Sequence, residues 1–253
     1  MNNFVGLVAN AALGFSSQIN IAVSKFVNGF STAFTPQIIK LYAKRDIDTL
    51  HTLMARSSKF SFALCYIMAL PIIVNMDFIL HIWLGNNVPL YTADFCRLIL
   101  VCTIFDATTG VYNTTVTATG KIRNYQIAIS LSFILDLVCC SVLLMCDVNP
   151  VLVFSSRILT RGVINMIIGL YYVRMYTGFN ISAYLGSVLR NIGCTLLTTV
   201  VPVYYVSTIT VGWSRLVLTT TLSVALVLFC VYTLIMTQVE RQAVLKKIKM
   251  KIR

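Results

Sequence analysis

The sequence predicts an all-α, polytopic membrane protein, and three observations support this prediction. Of 253 residues, 58% are hydrophobic and only 11% are charged, whereas soluble domains carry about 25% charged residues. The apolar residues form about seven stretches, each long enough to cross a bilayer as a helix. The cations lie mainly on every second connection between these stretches, as they do in cytoplasmic loops. We predict spans at about 7–36, 60–83, 92–119, 125–146, 150–173, 184–206 and 216–236, followed by a basic tail at 237–253.

The first stretch is the most polar of the set. It contains Gln18, Asn20, Lys25 and Asn28, so it is poorly suited to face lipid on all sides. We expect it to line a protein interior or a wet cavity. Pro36 marks its expected end, because proline removes a backbone donor.

The second and third stretches carry local signals. Pro71 predicts a kink in the second stretch, and Gly85 predicts a turn after it. The third stretch is rich in Thr, Gly and Asn from Asp106 to Thr119, which favours close helix packing or a polar lining. The remaining stretches are more uniformly apolar, and the segment 147–150 predicts a tight turn between the fourth and the fifth.

The sorting of charge predicts an orientation. Positive charges gather on the first–second, third–fourth and fifth–sixth connections and on the tail, whereas Arg215 is the clear cation on the opposite side. The positive-inside rule then places the N-terminus outside and the C-terminus in the cytoplasm. Two interpretations of the tail stay open: a helix on an anionic leaflet, or a solvated flank of the last span.

Composition also argues against other classes. The net charge of +12 does not indicate nucleic-acid binding, because the cations lie between apolar spans and not on a solvated basic face with aromatic residues. The eight cysteines lie in or beside apolar stretches without CxxC spacing, so we interpret them as small hydrophobic residues. We predict no metal site, no cofactor and no catalytic residue.

Two segments resemble a known family. The run VANAALGFSSQINIAVSKFVNGFSTAFTPQIIKLYAKRD, residues 8–46, resembles the segment that opens the second half of bacterial polysaccharide flippases of the Wzx type. These proteins belong to the multidrug/oligosaccharidyl-lipid/polysaccharide exporter superfamily. Residues 56–92, with LP inside the span and WLG-x-x-x-P-x-Y at its outer turn, also resemble that family. One departure is Leu13, which stands where the family pattern has an arginine.

The resemblance implies a function, a location and partners. Such proteins move an undecaprenyl-pyrophosphate-linked oligosaccharide across the cytoplasmic membrane by alternating access between two helical halves. The chain resembles only the second half, so we expect its partners to be the lipid-linked oligosaccharide, membrane lipid, and a missing N-terminal half or polysaccharide assembly proteins.

Ionisable residues within the spans are the candidate functional groups, because they are costly in hydrocarbon unless paired or hydrated. Lys25, Arg157 and Arg161 are candidates for binding pyrophosphate, the two arginines being four residues apart on one helical face. Arg97 and Arg190 lie near span ends and are expected to extend towards the interface.

Carboxylates and amides complete the set. Asp106 and Asp136 are candidates for carrying a coupling proton or Na⁺, and the alternative for both is a structural pair with Arg157 or Arg161. Polar side chains suited either to sugar hydroxyls or to bonds between helices are Gln18, Asn20, Asn28 and Asn113.

Three alternatives to a flippase remain open. A drug or cation antiporter of the same superfamily would share the fold. A non-functional fragment would explain the resemblance to half of a transporter. A membrane glycosyltransferase or polymerase is disfavoured, because such enzymes carry long loops bearing carboxylates, His or Arg, and the longest predicted connection has roughly 20 residues.

Overall fold

A computed structural model describes residues 2–236 and Arg241, with side chains from Val8 onward. This part of the chain is helical and contains no strand. Apart from Arg241, the predicted basic tail at 237–253 lies outside the described residues. A π-helical segment, Ile158–Ile164, joins the sixth and seventh of the described α-helices, and a second, Val231–Ile235, follows the ninth. The α-helices are α1 (Asn2–Ala43), α2 (Ile47–Val74), α3 (Met76–Leu84), α4 (Thr92–Ala118), α5 (Ile122–Met145), α6 (Pro150–Arg157), α7 (Asn165–Thr177), α8 (Ile181–Ile209) and α9 (Gly212–Cys230).

Six helical stretches of the described residues are long and apolar enough to cross a membrane, and each overlaps one of the predicted spans. The first predicted span falls in α1, which is helical over 42 residues but is not among these six. Its crossing of the membrane therefore stays a prediction. Among the described residues, the six are Ile47–Val74, Thr92–Ala118, Ile122–Met145, Pro150–Thr177, Ile181–Ile209 and Gly212–Ile235.

The predicted helix end at Pro36 is wrong. The first helix does not end at Pro36 but continues to Ala43, so the predicted long connection before the second span is a short turn between α1 and α2. The second span continues through Pro71 and is interrupted at Asn75. A proline removes only one backbone hydrogen bond, and neighbouring helices can keep such a helix continuous.

Asn75 forms the interruption between α2 and α3. Its backbone N–H donates to the Pro71 carbonyl at 3.1 Å, and its side-chain Nδ2 donates to the same carbonyl and to Thr219 Oγ1, both at 2.8 Å. The second of these bonds links the interruption to α9. The predicted turn at Gly85 is confirmed, since this residue ends α3 with a positive φ of 67°.

The helices α2 and α4 lie at the centre of the molecule. About half of the most apolar window of each helix is buried, and both contribute to the cores that join them to α1, α7 and α8. A chain of hydroxyl groups links three of these helices: Tyr112 donates to Tyr184, and Tyr184 donates to Ser58, each at 2.7 Å. Such bonds between helices fix their mutual rotation where hydrocarbon offers no competing partner.

The helix α5 has the opposite character. It has the highest hydropathy of the six candidate spans and only 17% of its apolar window is buried. Large apolar side chains such as Leu131, Leu137 and Val142 are exposed on it. An exposed face of this kind on a membrane helix is suited to contact with lipid tails.

Candidate functional site

Asp136 and Arg157 form an ion pair between α5 and α6. The Asp136 side chain is only 7% exposed, and Arg157 Nε lies 3.2 Å from its Oδ2. Thr160 Oγ1 donates to the other carboxylate oxygen at 2.5 Å. The Arg157 guanidinium also lies over the Phe154 ring, 5.0 Å from its centroid. The structure thus shows the paired arrangement that the sequence left open as the alternative to a transport role.

The π-helical segment Ile158–Ile164 begins directly after this pair. Its Gly162 lies against α4, where an added Cβ would be 3.1 Å from Phe105 Cγ. Asn165, at the end of the segment, accepts a hydrogen bond from Ser132 of α5 at 2.6 Å. Single π-helical turns are found mostly inside α-helices and frequently at functional sites, so the position of this one beside buried charges marks the region as a candidate.

Arg161 lies within the π-helical segment and also reaches α5. Its guanidinium lies over the Phe133 ring, 4.6 Å from the centroid, and it has no salt bridge in the described part of the chain. Arg157 and Arg161 therefore contact different side chains of α5. The pairing of Arg157 with Asp136 argues against a double cation that holds one phosphate.

Asp106 and Asn113 lie on an exposed stripe of α4. With Gly110 and Thr117 they recur at helical spacing along one face, and all four residues are exposed. Arg161 is the charged residue that acts electrostatically on Asp106. Asp106 has no salt bridge among the described residues, so it is the accessible carboxylate of the two predicted for coupling.

The polar side chains of α1 divide between two faces. Gln18, Lys25 and Asn28 are exposed. Asn20 instead accepts hydrogen bonds from Thr103 of α4 at 2.6 Å and from Ser24 at 3.1 Å. Asn20 thus makes a hydrogen bond between helices, the arrangement that the sequence left open beside sugar binding.

A large cavity between α2, α4 and α8 was not predicted from the sequence. It has a volume of about 660 Å³ and is lined by apolar side chains such as Phe62, Ile104 and Leu196. Arg97 and Arg215 are its charged lining residues. The sequence suggested only that Arg97 extends to an interface and that Arg215 lies in a connection, because nothing local indicates that α4 and α9 bring the two together.

The predicted site residues thus fall into separate groups. Arg157 and Asp136 are joined, Arg161 and Asp106 are electrostatic neighbours, and Lys25 lies apart from them on α1. The described residues contain no group of three or more His, Cys, Asp or Glu side chains that could hold a metal ion, and the cysteines are free.

The fold defines an integral helical membrane protein, with charged and polar groups on helices long and apolar enough to cross a membrane. The chain belongs to the MatE family, whose model matches residues 1–142. Members of this family are transporters, so the predicted superfamily is confirmed at that level. The search of curated proteins and the search of solved structures found no match.

Proposed function

We propose that this chain takes part in moving a lipid-linked oligosaccharide, attached through a pyrophosphate, across the cytoplasmic membrane. The observation that carries this proposal is the exposed face of α1. That face presents the amides of Gln18 and Asn28 and the ammonium of Lys25. The helix contains no acidic residue anywhere along its length.

The chemistry of this face matches the proposed cargo. Amide groups donate to and accept from sugar hydroxyls, and an ammonium offsets the charge of a pyrophosphate. Gly14 and Gly29 add open space on the same helix, since a Cβ at either position would meet nothing within 4 Å. Polar groups of this kind at membrane depth require water or protein beside them, which is the environment of a translocation path.

An antiporter for drugs or other cations is the second candidate function. Asp106 favours it, because this carboxylate is exposed on α4 and has no salt bridge among the described residues. Under the flippase proposal the same group, together with Asp136, is a candidate for coupling to a proton or Na⁺. The nature of the cargo therefore distinguishes the two functions.

The proposal includes an orientation and partners. The N-terminus lies outside and the C-terminus in the cytoplasm, according to the charge sorting. Together with Asn113 of α4, the exposed face of α1 lies towards the transported saccharide. It also lies towards a second helical half or polysaccharide assembly proteins. Alternating access then arises from motion of one half against the other.

Complementation of a flippase-null bacterial strain tests the function. The chain is expressed alone and joined to the sequence encoded upstream, and surface polysaccharide is measured at matched protein levels. Restored polysaccharide is expected from at least one of the two. Efflux of a cationic dye without restored polysaccharide would instead favour the antiporter.

A substitution on α1 tests the binding face. Lys25→Gln is expected to lower export about tenfold, because it removes a charge-assisted contact to pyrophosphate, whereas Lys25→Arg keeps the charge. Lys40→Gln is the matched control, since it makes the same charge change on an exposed residue of the same helix. Undiminished export by Lys25→Gln would refute the role proposed for this face.

A further inference from the structure

The cavity between α2, α4 and α8 has the size and lining of a binding site for a hydrocarbon chain. Its volume of about 660 Å³ lies within the range of about 300–1,000 Å³ usual for ligand pockets. Leu189, Leu196 and Val200 of α8 line it and are themselves partly exposed, so the cavity opens along the outer surface of that helix. Apolar cavities do not hold water well, and the medium around a membrane protein supplies hydrocarbon instead.

The two arginines of the lining differ in their partners. Arg97 is balanced by Asp77, at 2.5 Å, and by Asp94, at 3.4 Å. Arg215 has no carboxylate partner within the described residues. Its Nη2 donates to the Val74 carbonyl at 2.9 Å, and its Nε is buried without a hydrogen-bond partner.

Arg215 is therefore the positively charged group that an anion would neutralise. A guanidinium remains charged at all relevant pH values, and a buried guanidinium nitrogen without a hydrogen-bond partner is costly. Arg215 also lies in the first turn of α9, where the helix dipole adds positive potential. A guanidinium fork can bind a phosphate with two parallel hydrogen bonds.

We propose that this cavity binds one acidic phospholipid of the bilayer, with an acyl chain among the apolar side chains and the phosphate on Arg215. The site is distinct from the exposed face of α1, and the bound lipid is a resident of the protein rather than its cargo. Arg215 lies on the predicted outer side of the membrane, in the connection before the last predicted span. A neutral lipid would fill the apolar part but would leave Arg215 without a net anionic partner.

Lipid retention in purified protein tests this site. The full chain is incorporated into nanodiscs of phosphatidylglycerol and phosphatidylcholine at equal mole fractions, extracted with detergent, and its bound lipids are quantified by mass spectrometry. The wild-type protein is expected to retain phosphatidylglycerol in preference. Arg215→Gln is expected to lower that retention about tenfold, and Arg215→Lys, which keeps the charge without the fork, is expected to lower it less.

Two controls make the outcome decisive. Arg190→Gln makes the same charge change on α8 at a residue outside the lining, and it is expected to leave retention unchanged. Leu196→Trp, which fills the apolar part, is expected to lower retention of both lipids while circular dichroism remains that of the wild type. Equal retention of the two lipids by the wild type, or equal losses in Arg215→Gln and Arg190→Gln, would overturn the proposal. Displacement of phosphatidylglycerol by polyprenyl phosphate at equal mole fraction would overturn it in favour of the carrier lipid.

Discussion

Replacing Arg157 by Gln is expected to lower the free energy of unfolding more than replacing Asp136 by Asn. The asymmetry follows from burial, because the Asp136 side chain is 7% exposed and the Arg157 side chain is 30% exposed. Removal of the arginine leaves a buried carboxylate whose remaining hydrogen bond comes mainly from Thr160. Removal of the carboxylate charge leaves an arginine that can still reach water or lipid headgroups.

The magnitudes follow from the same geometry. Breaking a fully buried pair by removing one partner costs about 3–5 kcal/mol, and the partial exposure of Arg157 reduces this to roughly 2–3 kcal/mol for Arg157→Gln. Asp136→Asn keeps an oxygen for Thr160, so it is expected to cost about 1 kcal/mol. In the double variant no charge remains unpaired, and its loss should be close to that of Asp136→Asn alone. The coupling energy of the cycle is then roughly 2–3 kcal/mol in magnitude.

Unfolding by SDS in mixed micelles measures these differences. Trp83 and Trp213 report the transition by fluorescence, because Trp83 packs on Phe15 and Trp213 packs on Phe78, each with ring centroids 5.5 Å apart. Arg190→Gln is the control for loss of a positive charge at an exposed position. If Arg157→Gln destabilises no more than Asp136→Asn, or if the two effects simply add, the pair does not stabilise the protein in the way its burial implies.

Two further substitutions test packing at the centre of the molecule, both by the same unfolding assay. Gly169→Ala would place a Cβ 2.6 Å from Tyr112 Cδ2, and such overpacking should cost about 1–3 kcal/mol. The control is Gly186→Ala, which should cost nothing because a Cβ there meets nothing within 4 Å. Equal losses of stability in the two variants would contradict the close approach of Gly169 to Tyr112. Tyr66→Phe removes a buried 2.8 Å hydrogen bond to Thr199 and should cost about 0.6 kcal/mol, the average for such bonds in membranes. Thr199 also donates to the Thr195 carbonyl of its own helix at 2.7 Å, so its hydroxyl remains bonded in the variant. A loss several times larger would contradict that.

Most of the helix positions could be predicted from the sequence. An apolar stretch in a membrane has to satisfy its own backbone hydrogen bonds, so length and hydropathy suffice to indicate a helix. The helices containing residues 92–119, 125–146 and 184–206 begin and end within a few residues of those predictions. The error at Pro36 arose because a proline signal is local, whereas packing against neighbours decides whether the helix continues.

The candidate site could be predicted only in part. The sequence indicated which charges lie within spans, and it offered the pairing of Asp136 with Arg157 as one alternative. It could not show that Asn20 turns towards Thr103, because this depends on how α1 rotates against α4. The only signal for Arg215 was that it stood as a lone cation among connections otherwise poor in positive charge.

The sequence by itself therefore determined the class of protein, the approximate spans and an expected orientation, since all three follow from composition along the chain. The tertiary structure alone decided which charges are compensated. Asp136 receives its partner from 21 residues away and Arg97 from 20, while Arg215 lies 141 residues from the carbonyl that it contacts. Such distances are bridged only when helices pack at particular rotations. Among the described residues, that packing leaves Arg215, in the lining of an apolar cavity, without a carboxylate partner.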